Sequence, residues 1–172
     1  MTPPELHRLV RVSRIPGQDA EAGGMEVVVE ADATERAALA ARMRLPALPA
    51  LRARFTLARQ GDGVVVATGR LEASVVQTCV VSLEDFESPV AEDFVVHFVP
   101  EGTESDDPDP ESVDEIPYGG DTIDLGEAAA EQLALSLDPY PRRPDATLPE
   151  TESPPDPRLA ALAAWRDAKG RQ

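Results

Sequence analysis

The side chains in this chain whose types could do chemistry are two histidines, one cysteine, a run of carboxylates and a scatter of arginines. A cysteine nucleophile needs a positioned base, and the only neighbour in sequence that could serve Cys79 is His97. His97 falls on an alternating run whose other face reads as core, and His7 falls in an N-terminal tail, so neither pairing is supported. No Gly-x-Ser-x-Gly, P-loop or dinucleotide fingerprint occurs. As the sole cysteine, Cys79 can form no disulfide within the chain, no Cys-x-x-Cys redox pair and no thiolate zinc cluster. It reads as a small buried residue at a structural corner. Asp106, Asp107, Asp109 and Glu111 invite a calcium reading, but the glycine and closing glutamate of a twelve-residue EF-hand loop are missing from their positions. The expectation is a protein without cofactor or metal that is not an enzyme.

Charge points instead to a partner. The formal net charge is −16, and it is unevenly spread: residues 1–60 hold 9 basic and 7 acidic side chains, residues 61–141 hold 1 and 20, and residues 142–172 hold 6 and 5. A middle section with a balance of −19 repels a phosphate backbone and attracts a basic protein. Within it, Asp106, Asp107, Asp109, Glu111, Asp114 and Glu115 are the candidate partner-binding carboxylates. The competing reading is RNA contact through arginines before residue 60. Arg11, Arg14, Arg52 and Arg54 lead that set, with Arg8, Arg42 and Arg44 beside them if they share a face. A signal-peptide-like apolar stretch and a membrane-length apolar run are both missing, so a soluble, cytoplasmic protein with no membrane partner is expected.

The elements that must position these residues follow from periodicity. Val65, Ala67, Gly69, Leu71, Ala73 and Val75 alternate with Thr68, Arg70, Glu72 and Ser74, which predicts a long strand with one buried and one wet face. Phe94, Val96 and Phe98 lie on a partner strand, and the Cys79–Pro89 segment between them permits an antiparallel return. Leu51–Arg59 should pair with the long strand through a turn at Gly61-Asp62-Gly63, with Leu51, Ala53, Phe55 and Leu57 inward. Met25–Glu30 reads as another strand, and Leu9–Pro16 as a short edge strand.

Two helices are predicted by capping-box spacing. Asp32 and Glu35 start one over Ala33–Arg44, which Pro46 and Pro49 keep from continuing. Asp124 and Glu127 start the other, whose Leu125, Ala129, Leu133 and Leu137 form an apolar stripe facing the core. Between strands and second helix, Glu101–Glu111 reads as an acidic loop, with order returning at Asp121. After Arg142 comes a proline-rich linker, then a short helix opened by Asp156-Pro157 and anchored by Leu159, Leu162 and Trp165. Such a helix is marginal alone, so these three residues are candidates to dock on the domain or on a partner.

Several of these stretches carry a resemblance. Arg11-Val12-Ser13-Arg14-Ile15-Pro16, Gly69-Arg70-Leu71-Glu72-Ala73 followed by Gln77-Thr78-Cys79-Val80-Val81-Ser82-Leu83-Glu84, and Ile123-Asp124-Leu125-Gly126-Glu127 with Leu133-Ala134-Leu135 resemble the YceD family, over roughly Leu9 to Pro144. The resemblance implies a part in accumulation of the large-subunit ribosomal RNA, and it marks Gly69, Cys79, Asp124, Leu125 and Glu127 as structural motif residues. Many members have Cys-x-x-Cys where this chain has Cys79-Val80-Val81-Ser82, and a further cysteine where it has Pro139–Arg143, so a metal or redox role cannot be carried over.

The resulting expectation is an α+β domain over residues 9–144, followed by a linker and short helix over 145–172. Its core would be a curved, mostly antiparallel sheet, with closure into a barrel left open as an alternative, covered by two helices. Its partner would be a basic ribosomal protein or large-subunit assembly factor, with direct contact to ribosomal RNA as the alternative.

Overall fold

A computed structural model of the protein describes residues 6–18, 23–104 and 113–147. Among them are seven strands, β1 (Leu9–Arg11), β2 (Met25–Glu30), β3 (Ala47–Arg59), β4 (Val65–Thr78), β5 (Asp85–Pro100), β6 (Asp114–Tyr118) and β7 (Thr122–Asp124), and two helices, α1 (Ala33–Met43) and α2 (Leu125–Ser136). Five strands form one sheet in the order β2-β3-β4-β5-β6, while β1 and β7 pair separately. The large sheet is open, with β2 and β6 at its edges, so the α+β class holds without barrel closure.

The meander forms because period-two alternation leaves each strand one apolar face. In β4 Val65, Ala67, Leu71, Ala73 and Val75 are buried, and in β3 so are Leu51, Ala53, Phe55 and Leu57. These side chains join Leu39 of α1 and Leu125, Ala129 and Leu133 of α2 in a single core, so the predicted stripe of α2 faces inward. The β4–β5 pairing runs in register from Val65 opposite Phe98 to Thr78 opposite Asp85. Gly69 serves that packing: a Cβ there would lie 2.2 Å from the Phe94 ring, which crosses β4 to meet Phe55 edge-on at a centroid distance of 5.5 Å.

Several boundaries differ from expectation. The β4–β5 turn spans residues 79–84 rather than reaching Pro89, because Pro89 lies opposite Ser74 on a part of β5 that β6 leaves as an edge, where a missing N–H is tolerated. Strand β3 begins four residues early, at Ala47, with an irregularity between Ala47 and Ala50 that accommodates Pro49. The first strand stops at Arg11 instead of Pro16. There Asp121 takes over the chain, its carbonyl accepting from the Val12 amide and its carboxylate from the Ser13 amide and hydroxyl, and Val12–Arg14 become a 3-10 turn. Val12 and Ile15, placed on opposite faces by a strand reading, are then both buried. Order also returns earlier than Asp121: β6 pairs with β5 in parallel, matching Val96 with Asp114 through Pro100 with Tyr118.

Both helix starts are where spacing puts them. Asp32 caps α1 and Glu35 reaches back to the Asp32 amide, closing the box, and Arg44 ends the helix in the left-handed region at φ 57°. Asp124 caps α2 through the Gly126 and Glu127 amides. Glu127 does not reach back to Asp124, since its carboxylate is held by both terminal guanidinium nitrogens of Arg42 at 2.5 and 2.9 Å.

Candidate functional site

The family-like motif Ile123–Glu127 lies where the N-terminal segment crosses the starts of both helices. Leu6 is buried, and the Arg8 carbonyl accepts from the Leu125 amide at 3.0 Å, while the Arg8 amide donates to Asp124 at 2.9 Å. The Arg8 guanidinium forks onto both oxygens of Glu35 at 2.8 and 2.9 Å and also donates to the Glu30 carbonyl. His7, read from sequence as part of a tail, is instead hydrogen-bonded through Nδ1 to the Asp124 carboxylate. Gly126 makes the crossing possible: a Cβ would lie 2.3 Å from the Leu6 carbonyl oxygen and 2.9 Å from the Arg8 nitrogen. Thus Asp124 caps, Leu125 fills the core, Gly126 admits the strap and Glu127 ties α2 to Arg42 on α1.

The electrostatics agree with these roles. The hydrogen bond from Arg8 holds the Glu35 carboxyl below its ordinary range. Burial works against charge on Asp124, but the Arg8 amide, His7 and the helix amides together bring its carboxyl down. Glu127 is likewise lowered by Arg42, and Asp121 by Ser13. Beside the strap, a groove of about 570 Å³ runs between β6 and α2, with His7, Arg42, Ile116, Tyr118 and Glu131 in its walls. Burial and the nearby Glu127 charge push the Glu131 carboxyl up.

Cys79 is fully buried at the first position of the β4–β5 turn. Its Sγ accepts from the amides of Val81 and Ser82 at 3.4 Å and of Arg143 at 3.5 Å. The Ser82 hydroxyl, then these amides, bring the thiol down to about 6. Sequence spacing did not reveal the Arg143 donor, which approaches from 64 residues away. His97, the one base proposed for Cys79, sits twelve positions along β5 from Asp85, at the other end of the strand. At about 3.3 Å per residue that is of the order of 40 Å, far beyond proton transfer. Among the described residues, no group of three or more His, Cys, Asp and Glu side chains could hold a metal ion.

Two of the proposed partner carboxylates, Asp114 and Glu115, open β6 and are exposed. Asp106, Asp107, Asp109 and Glu111, and the apolar Leu159, Leu162 and Trp165, lie outside the described residues. Strands β5 and β6 carry Asp85, Glu87, Glu92, Asp93, Asp114 and Glu115, all exposed, and no lysine or arginine. The arginines of the alternative reading fall on separate sheets. Arg11 is on β1 and Arg14 in the turn after it, while Arg52 and Arg54 are on the wet face of β3. Arg52 stands between Glu30 and Glu72, and Arg54 is opposite Arg70, which binds Asp93.

The fold is thus an open α+β sheet whose two helices share one core with it, with an acidic strand pair at one side and Asp124 to Glu127 fastening the N-terminal segment to both helices. The chain belongs to the YceD family: the family described as large ribosomal RNA subunit accumulation protein YceD matches residues 67–165. Membership implies a role in accumulation of the large-subunit ribosomal RNA. No curated protein and no solved structure gave a significant match. Among the described residues no helix is long and apolar enough to cross a membrane.

Proposed function

We propose that this protein is a non-enzymatic factor in ribosome biogenesis that supports accumulation of large-subunit ribosomal RNA by holding a basic ribosomal protein or large-subunit assembly factor on its acidic side. The observation that carries this reading is the β5–β6 strand pair, whose exposed charges are all carboxylates. The intervening sequence adds Asp106, Asp107, Asp109 and Glu111. Such a surface speeds encounter with a basic partner and disfavours bare RNA. Arg8 is engaged with Glu35, Arg42 with Glu127 and Arg143 with Asp145, while Arg70 offsets Asp93, one of the six exposed carboxylates of that strand pair. The separation of Cys79 from His97 favours a binding role over a catalytic one. Affinity purification from cells with and without nuclease tests the proposal: basic large-subunit proteins or assembly factors retained after nuclease support it, and their complete loss with the RNA refutes it.

The alternative is direct RNA contact through Arg11, Arg14, Arg52 and Arg54, and its support is that Arg52 and Arg54 both stand on the exposed face of β3.

A further inference from the structure

The β4–β5 turn exposes apolar side chains where the chain leaves the described structure. Leu83 is 78% exposed, Tyr140 71% and Val80 44%. Hydrogen bonds bring the turn and the segment after α2 together: the Val80 amide donates to the Pro141 carbonyl at 2.9 Å, and the Gln77 side chain to the Asp138 carbonyl at 3.0 Å, while the Leu83 amide closes the turn on the Cys79 carbonyl. Leu135, 70% exposed, lies on the last turn of α2 just before this junction. Leu83 also occupies the left-handed region at φ 60°. A bulky residue there costs of the order of 1 kcal/mol, so the turn holds a leucine outward against its own backbone preference. Asp85 and Asp138 are exposed acidic residues flanking the turn and the junction, while Glu84 is paired with Arg143.

The described chain ends at Thr147, which lines a shallow hollow with Ser82, Glu84 and Arg143 in the same turn region. Beyond it the sequence supplies a matching segment, with Leu159, Leu162 and Trp165 at helical spacing and Arg158, Arg166 and Lys169 beside them. The twelve residues from Thr147 to Leu159 span at most about 40 Å extended, enough for a return onto the turn from which they depart. The family match continues through residue 165, so this stripe lies within the family region. We infer that the segment Asp156–Arg166 docks back on its own domain, with Leu159, Leu162 and Trp165 covering Val80, Leu83 and Tyr140 and Arg158 and Arg166 set near Asp85 and Asp138.

Trp165 is the only tryptophan, so its fluorescence reports this contact in the full chain. The inference predicts emission blue-shifted from N-acetyltryptophanamide, acrylamide quenching several-fold weaker than for that compound, and neither property changing on dilution. Leu83→Asp should move both towards the free compound, and Tyr140→Ser should do the same if the first variant loses its far-UV dichroism. Leu9→Asp, at an exposed leucine on β1, should leave both unchanged. Emission and quenching like those of free tryptophan in the isolated wild-type chain would overturn the inference. So would a blue shift that disappears on dilution, which would indicate a second copy, or one that appears only when a basic partner is added. None of these readouts on the isolated chain depends on the ribosomal partner, so the docking and the proposed function can fail separately.

Discussion

Replacing Gly126 by alanine tests whether the N-terminal strap is built into the helix start. The added Cβ would sit 2.3 Å from the Leu6 carbonyl oxygen and 2.7 Å from its carbon, both backbone atoms that cannot swing aside as a side chain would. Overpacking of this kind costs about 1–3 kcal/mol, and loosening the Leu125–Arg8 and Arg8–Asp124 bonds adds up to about 1 kcal/mol each. Alanine returns up to about 1 kcal/mol through helix propensity. The net expectation is a loss of about 2 kcal/mol, which for a chain of this size lowers Tm by roughly 4–8 °C. Thermal and urea melts of the full chain measure it. The diagnostic comparison is the same substitution in a chain lacking residues 1–8, where the strap is gone and alanine should be neutral or stabilising. An equal loss in both backgrounds, or no loss in the full chain, would refute the reasoning.

Gly69→Ala should dislodge the Phe94 ring from Phe55 and cost about 1–2 kcal/mol. In Phe94→Ala the same change should cost much less, as a urea double-mutant cycle would show. Acid should destabilise the domain below about pH 4.5, because Glu35, Asp121, Asp124 and Glu127 are all held low when folded. The unfolded carboxylates take up protons first, so urea midpoints should fall as pH drops, and less steeply in Arg8→Ala, where Glu35 loses its partner. The Cys79 thiol should act in a higher window: protonated when unfolded and ionised when folded, it adds stability that rises between about pH 6 and pH 9. Cys79→Ala should remove that slope. Native Cys79 should also label slowly with a thiol reagent despite its low pKa, because it is buried, and Cys79→Ser should cost stability modestly and leave complementation intact.

Sequence pattern was most informative where one physical requirement dominated. The alternation in β3, β4 and β5 and the caps at Asp32 and Asp124 were legible because strand burial has a strict period of two and a helix start needs an acceptor at one position. Strand β6 was hidden since Asp114–Tyr118 combines two carboxylates with a proline, and parallel pairing with β5 leaves no hairpin signal. The bend at Val12–Arg14 depends on Asp121, 108 residues beyond Ser13, and no local propensity encodes it. The same holds for the amide of Arg143 at Cys79 and for the Arg8–Glu35 pair. Gly126 left a trace, a glycine within a helical pattern, and its reason became visible only with Leu6 placed above it. The acidic character of the candidate surface was legible from composition, whereas its concentration on β5 and β6 required their pairing.

The central claim, that the acidic side recruits a basic protein, is tested most directly by a pair of titrations at two salt concentrations. One variant converts Asp106, Asp107, Asp109, Glu111, Asp114 and Glu115 to their amides, and the other converts Arg11, Arg14, Arg52 and Arg54 to alanine. Each is titrated against purified large-subunit ribosomal RNA and against its basic ribosomal proteins. The account predicts that the amide variant binds the basic proteins more weakly with a flatter salt dependence, while the arginine variant binds them almost as the parent does. Tighter RNA binding by the amide variant with unchanged protein binding, together with weaker RNA binding by the arginine variant and a salt slope reduced by about one per lost phosphate contact, would contradict it.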